Sequence, residues 1–381
     1  MPWQECSTMT LRQEFLSLTE QQGVSFSELC QRFGISRKTG YKWRRRYREK
    51  GINGLADCSR QPLHSPRRSS RDIEEKVLAI RDKYGWDARK IKTCLERDGH
   101  GPLAKSTVHS ILLRHDRVNV PEKTGRTSQR FEHERPNQLW QMDFKGHFRL
   151  GNQERCHPLT VLDDHSRYSL CLQACRNEQT ATVKDQLTAA FRRYGLPERM
   201  LMDNGPPWGN DVVHRFTPLT VWLLHLGIAV SHGRAYHPQT QGKEERFHRT
   251  LKVEVLANRL FSDFECIQLR FDEWRHCYNH VRPHESLDMQ VPASRYEPSS
   301  RSFPEHLPPI EYSSIDQVRK VRDGGRISFH RREFRVGKAF RGYAVALRPS
   351  TTDGVFDVYF ATHRIAKVDL HQPSDRLIAD H

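Results

Sequence analysis

Apolar and polar positions change their spacing several times along the chain, and each change marks a different kind of element. From Thr8 to about Gly51 the spacing is helical, with Leu29 and Phe33 four residues apart on one face of a short helix. Gly34-Ile35-Ser36 follows: a glycine suited to a positive φ, an apolar plug, and a serine placed as N-cap. The next helix, Arg37 to about Lys50, carries Tyr41, Trp43 and Tyr47 among six basic residues between Lys42 and Lys50. That layout predicts a helix-turn-helix whose second helix enters a major groove, with Arg37, Lys38, Lys42, Arg44, Arg45 and Arg46 as its DNA contacts. The plainer alternative is a solvated basic helix on a small bundle. Gly54, Pro62, Pro66 and Arg67-Arg68 make 52–70 a linker. A second helical block, about Ser70 to His115, reads as a less basic helix-turn-helix, and residues 116–136 as a second linker.

Beyond residue 137 the period shortens to two. Gln138–Phe144, Leu159–Asp164, Tyr168–Gln173, Arg199–Asp203 and Ile228–His232 are expected strands. Helices are expected at Thr180–Tyr194, at Asp211–Gly227, and from about Gly242. Three strands followed by alternating helix and strand predict an α/β domain with a five-stranded mixed sheet. Strand-like alternation returns between Arg319 and Leu370, broken by turns at Asp323-Gly-Gly and Asp353-Gly, and predicts a small β-barrel.

Charge adds a partner to this outline. The 381 residues carry a net charge of +16, and residues 1–130 hold 27 basic against 15 acidic side chains. A basic N-terminal third ahead of a nearly balanced body predicts a polyanion-binding module attached to something else. The longest stretch without Asp, Glu, Lys or Arg, Phe216–Gly233, contains Pro218 and reads as a buried helix and strand, not a membrane span. With no basic and apolar leader visible, the expected location is the cytosol. Nine scattered cysteines include no Cys-x-x-Cys pair, and the His276, Cys277, His280, His284 group lacks a second thiolate for zinc.

Three acids stand where catalytic acids belong. Asp143 closes the first strand, Asp203 closes the fourth ahead of Asn204-Gly205-Pro206, and Glu245 lies in the first turn of the helix after Tyr236–Gly242. Carboxylates brought together repel and lose hydration, and a divalent cation compensates; oxygen-only ligands suit Mg²⁺ or Mn²⁺. Among 46 acids, three scattered ones mean little without context. The context is Trp140-Gln-Met-Asp143, Met202-Asp-Asn-Gly205 and His237-Pro-Gln-Thr-Gln-Gly-Lys-Glu-Glu-Arg-Phe-His248. These segments resemble the three signatures of the DDE integrase-core superfamily, which holds retroviral integrases and bacterial insertion-sequence transposases. Fifty-nine residues separate Asp143 from Asp203, and 41 separate Asp203 from Glu245, in keeping with the family pattern. Glu244 and Glu245 compete for the third place. The family motif sets its glutamate three residues past the glycine, at Glu245, whereas position 244 is usually apolar; helical geometry alone leaves the choice open.

The resemblance implies a ribonuclease-H-like core at residues 131–296, helix-turn-helix modules at 1–55 and 70–116, and a C-terminal barrel at 315–372. It implies an insertion-sequence transposase that nicks DNA and joins ends, with two Mg²⁺ or Mn²⁺ ions held by Asp143, Asp203 and Glu245. Arg249 and Lys252, four and seven residues past Glu245, fall beside it on the helix and match positions that contact donor ends. Expected partners are double-stranded DNA, as element terminal repeats and target, and further copies of the chain. A non-enzymatic DNA-binding regulator and a nuclease without strand transfer are the competing classes. The intact acid trio opposes the first, and the DNA-reading N-terminus opposes the second.

Overall fold

The computed structural model describes residues 7–21, 23, 25–58, 68–118, 132–209, 216–233, 242–257 and 259–372, in two compact units that divide after residue 68. In the first unit, helices α1 (Thr8–Thr19), α2 (Phe26–Arg32) and α3 (Arg37–Lys50) enclose Phe15, Leu16, Leu29, Cys30, Trp43 and Leu55. Ser36 caps α3 by accepting from the Thr39 amide at 3.2 Å, and Gly34 takes φ +64° in the preceding turn. Gly40 lets α3 lie against its neighbours, since a Cβ there would stand 2.7 Å from Cys30 Sγ. The first linker begins later than its composition suggests, because Leu55 is fully buried in this core.

The second unit begins with three helices, α4 (Arg71–Tyr84), α5 (Ala88–Arg97) and α6 (Lys105–Arg114). Their apolar cluster takes in Cys277 and Val281 from farther along the chain, and Arg97 donates to the Val281 carbonyl at 2.6 Å. This second helix-turn-helix module is therefore packed onto the α/β domain.

That domain is a mixed sheet of β1 (Leu139–Phe144), β3 (Arg155–Asp163), β4 (Ser169–Cys175), β5 (Arg199–Met202) and β6 (Ala229–His232), in the order β4-β3-β1-β5-β6. The sequence pattern predicts all five; it misses β2 (Phe148–Arg149), a two-residue strand on β3 too short to show alternation. β1 runs antiparallel to β3 and parallel to β5. Helices α7 (Thr180–Tyr194) and α8 (Pro218–His225) pack with Trp140, Met142, Met200 and Met202, from one face. Helices α9 (Gly242–Leu251) and α10 (Phe264–His280) pack with Leu162 and Leu172, from the other. Helix α8 starts at Pro218, later than expected; residues 210–215 lie outside the described residues.

The C-terminal strands correct the barrel expectation. β12 (His363–Asp369), β11 (Val355–Phe360), β10 (Ala344–Pro349) and β7 (Gln317–Lys320) form an open antiparallel sheet, while, among the described residues, β8 (Arg326–Phe329) and β9 (Arg332–Arg335) pair only with each other. Asp323–Gly325 forms a tight helical turn that carries the chain off β7 before β8 starts. Gly325 takes φ +74°, and a Cβ there would meet the Gly337 backbone at 2.4 Å. Alternation shows that strands exist; it does not show whether the first and last hydrogen-bond to each other. The sheet's core includes Val221 and Leu224 of α8, whose Leu219, Trp222 and Leu223 face the central sheet. A helix apolar all round is one buried on both sides, which is why Phe216–Gly233 carries no charge.

Candidate active site

Gln141 and Leu201 are opposite one another in the parallel β1–β5 pair, so two residues further on Asp143 comes alongside Asp203. Strand spacing of about 4.8 Å sets their backbones apart. The neighbouring positions Met142 and Met202 belong to the α7 side, which turns Asp143 and Asp203 to the side that α9 covers. Asp203 leaves β5 in an Asx turn, accepting from the Gly205 amide at 3.0 Å, and His232 Nδ1 bonds its carbonyl at 2.8 Å. Glu245 is exposed on the first turn of α9, while Glu244 beside it is 1% exposed.

The electrostatics tie the three acids together. Burial, then the negative charge of Asp203, and to smaller degrees those of Glu178 and Glu245, push the Asp143 carboxyl up to about 7. Burial also raises Asp203, against the Gly205 amide and His232, which favour its anion. Among the described residues no three His, Cys, Asp or Glu side chains close into a ready metal cage. The donor set nevertheless suits a hard cation: carboxylate oxygens, two of them held toward their neutral forms for want of positive charge.

Around this centre lie groups the sequence did not single out. Glu178, just ahead of α7, faces both aspartates and bonds His157 Nδ1 at 2.8 Å. Nothing in the spacing of Asn177-Glu178-Gln179 reveals this, because only the fold brings that loop over the ends of β1 and β5. Lys145, two residues past Asp143, has its pKa lowered by burial and by Lys252. Thr160, in the middle of β3, bonds the Asp143 carbonyl at 2.9 Å and His248 Nε2 at 2.8 Å. His248 lies 3.9 Å from Asp143 Oδ2, but burial and Lys145 push it down to about 4, so it is neutral there and forms no ion pair.

Other expected site residues are placed as follows. Arg249 and Lys252 are both exposed, and the chain passes from α9 into a wider π turn at Lys252–Leu256. Lys252 acts on Lys145 and so lies at the rim of the acid cluster. On α3, Arg37, Lys38 and Arg45 are exposed, Lys42 is exposed with its Nζ 4.8 Å from the centre of the Trp43 ring, and Arg44 lies over the Phe26 ring. Arg46 folds over Trp43 and donates to the Ala56 carbonyl at 2.7 Å. Asp163 and Asp164 stand at the turn between β3 and β4. Asp163 accepts from Ser166 and the Asn137 amide, and Asp164 from Gln141, the His133 amide and Lys243. Residues 234–241, including His237–Gln241 of the third signature, lie outside the described residues.

Comparison with known proteins adds independent findings. An integrase core domain model matches residues 133–238, and a second model of that name matches 226–292. The C-terminal domain of IS481 family transposases matches 316–376, and homeodomain-like models match 7–56 and 39–112. The chain is 25% identical over 251 residues to an uncharacterized 31.7 kDa protein of insertion element IS407 from Burkholderia multivorans, covering 63% of this chain and 87% of that one. It is 26% identical over 264 residues to the transposase for transposon Tn552 of Staphylococcus aureus, covering 61% of this chain and 53% of that protein, about half its length. Among solved structures it is similar to the HTLV-2 integrase catalytic core domain in complex with magnesium, at 13% identity and a TM-score of 0.32, covering 43% of this chain and 99% of that one. No described helix is long and apolar enough to cross a membrane.

Proposed function

We propose that this chain, a member of the DDE integrase-core superfamily of the insertion-sequence transposase type, cuts DNA at the ends of a mobile element and joins those ends to target DNA. The observation that carries this reading is the convergence of Asp143 and Asp203 at the tips of adjacent parallel strands, with Glu245 near enough to raise Asp143. Asp143, Asp203 and Glu245 would hold two Mg²⁺ or Mn²⁺ ions, which when bound activate a water or a 3′-hydroxyl and stabilise the leaving oxygen. Lys252, beside Lys145, and Arg249, exposed one turn before it, grip the phosphates of the strand being cut. The exposed basic face of α3 reads the terminal repeat, and the second module extends the site. Several copies assemble on the DNA, in the bacterial cytoplasm at the nucleoid.

A labelled element end incubated with target DNA and Mg²⁺ tests the reading. The wild type is expected to give joined product, and Asp203→Asn or Glu245→Gln none, with end binding nearly intact. A protein that binds ends but joins none under any divalent ion would instead be a DNA-binding regulator.

A further inference from the structure

Helix α9 packs on the sheet through Glu244, Phe247 and Leu251, and the two apolar members of that row sit in a cluster with Leu162 and Phe271. A carboxyl in an apolar row needs a reason. Among the described residues Glu244 Oε1 has no hydrogen-bond partner, so half of the group is buried without compensation from them. Its other oxygen, Oε2, lies 3.1 Å from Thr160 Oγ1. That hydroxyl is also 2.8 Å from His248 Nε2 and 2.9 Å from the Asp143 carbonyl oxygen.

Thr160 has one hydroxyl hydrogen and two lone pairs. The Asp143 carbonyl and Glu244 Oε2 both lie within reach of that hydrogen. His248 Nε2 shares the same oxygen, so β1, β3 and α9 meet at this hydroxyl. Thr160 thus ties the Asp143 strand and β3 to the Glu245 helix. A second tie lies one residue before Glu244, where Lys243 Nζ bonds the buried Asp164 carboxylate at the far end of β3. Glu245, between these anchored residues and His248, stays exposed.

We propose that Thr160, Glu244 and His248 form a clamp that fixes the Glu245 helix against the Asp143 strand and so sets the gap between metal-binding carboxylates. The inference rests on the reading of Asp143 and Glu245 as ligands of one ion pair. These are positioning residues; they hold the ligands and touch no substrate. Groups that orient metal ligands typically change metal affinity about 10–100-fold when lost.

Calorimetric titration of the full chain with Mn²⁺, without DNA, tests the clamp. Thr160→Val, which keeps the shape and removes the hydroxyl, is expected to bind Mn²⁺ about tenfold more weakly, while Thr160→Ser stays within about twofold of wild type. Glu244→Leu should behave like Thr160→Val. Glu244→Gln, whose amide keeps a polar partner for the Thr160 hydroxyl, should bind as wild type. Should Thr160→Val fail to fold by circular dichroism, the Glu244→Leu and Glu244→Gln pair carries the test. Unchanged affinity in the folded Thr160→Val or Glu244→Leu protein overturns the clamp. Loss of binding in Glu244→Gln overturns it as well, by making Glu244 a ligand. Wild-type affinity in Glu245→Gln sinks the ligand reading instead.

Discussion

Asp143 has its carboxyl raised to about 7 by burial and by Asp203, against an ordinary value near 3.8. A group that binds its proton more tightly folded than unfolded favours the folded state below both values. That contribution falls as pH rises between them and is lost above the folded pKa. In metal-free protein, unfolding temperature should therefore fall between about pH 4 and pH 7, with Asp143 accounting for up to about 4 kcal/mol. Asp143→Asn removes the charge and keeps the shape. It should unfold several degrees higher than wild type at pH 8 in EDTA and at nearly the same temperature near pH 3, below both values. Differential scanning calorimetry at both pH values checks this; equal temperatures at pH 8 would mean that Asp143 is not strained by its neighbours.

At the scale of elements, α8 and α9 carry opposite duties. Helix α8 joins two cores, with Leu224 in the C-terminal cluster at 4% exposure. Leu224→Ala should cost about 2–4 kcal/mol, read as a lowered midpoint in urea. Its effect should centre on the C-terminal sheet, since Leu219, Trp222 and Leu223 still hold α8 to the central one. Helix α9 presents Glu245 to the site and continues to Lys252 at its rim. Replacing Arg249 and Lys252 together by Ala should slow joining more than it weakens end binding, because a misplacement near 1 Å can cost about a hundredfold in rate. Single-turnover joining at saturating DNA separates the two effects. A normal rate with a raised Kd would make both residues plain phosphate anchors.

For the molecule as a whole, the two helix-turn-helix modules differ in attachment. The second shares its core with Cys277 and Val281, so deleting it would expose that cluster. The first unit ends at residue 68 and has a core of its own. Removing residues 1–68 should abolish preference for the element end while leaving a folded core with nonspecific affinity. Competition gel shifts check this, and unchanged preference would move recognition elsewhere. Binding by the full chain should fall steeply with salt, since a net charge of +16 implies several phosphate contacts that release counterions.

The five central strands, helix α7 and both helix-turn-helix modules were legible because local spacing records them: period two in a strand, 3.6 in a helix, and glycine or serine where each helix starts and stops. The acids Asp143 and Asp203 were legible too, since each ends a strand inside a recognisable segment. Other features depended on which elements meet. Closure of the C-terminal strands is a matter of hydrogen bonds between distant edges, and alternation is the same for an open sheet and a barrel. The inward turn of Arg46 required the Ala56 carbonyl to come back beside α3. Glu178 reaches the aspartates from a loop whose own sequence carries no signal. Between Glu244 and Glu245 the sequence offers two adjacent carboxylates about 100° apart on a helix. Packing on β3 buries the first against Thr160 and leaves the second open, a distinction that only the surface α9 rests on can make.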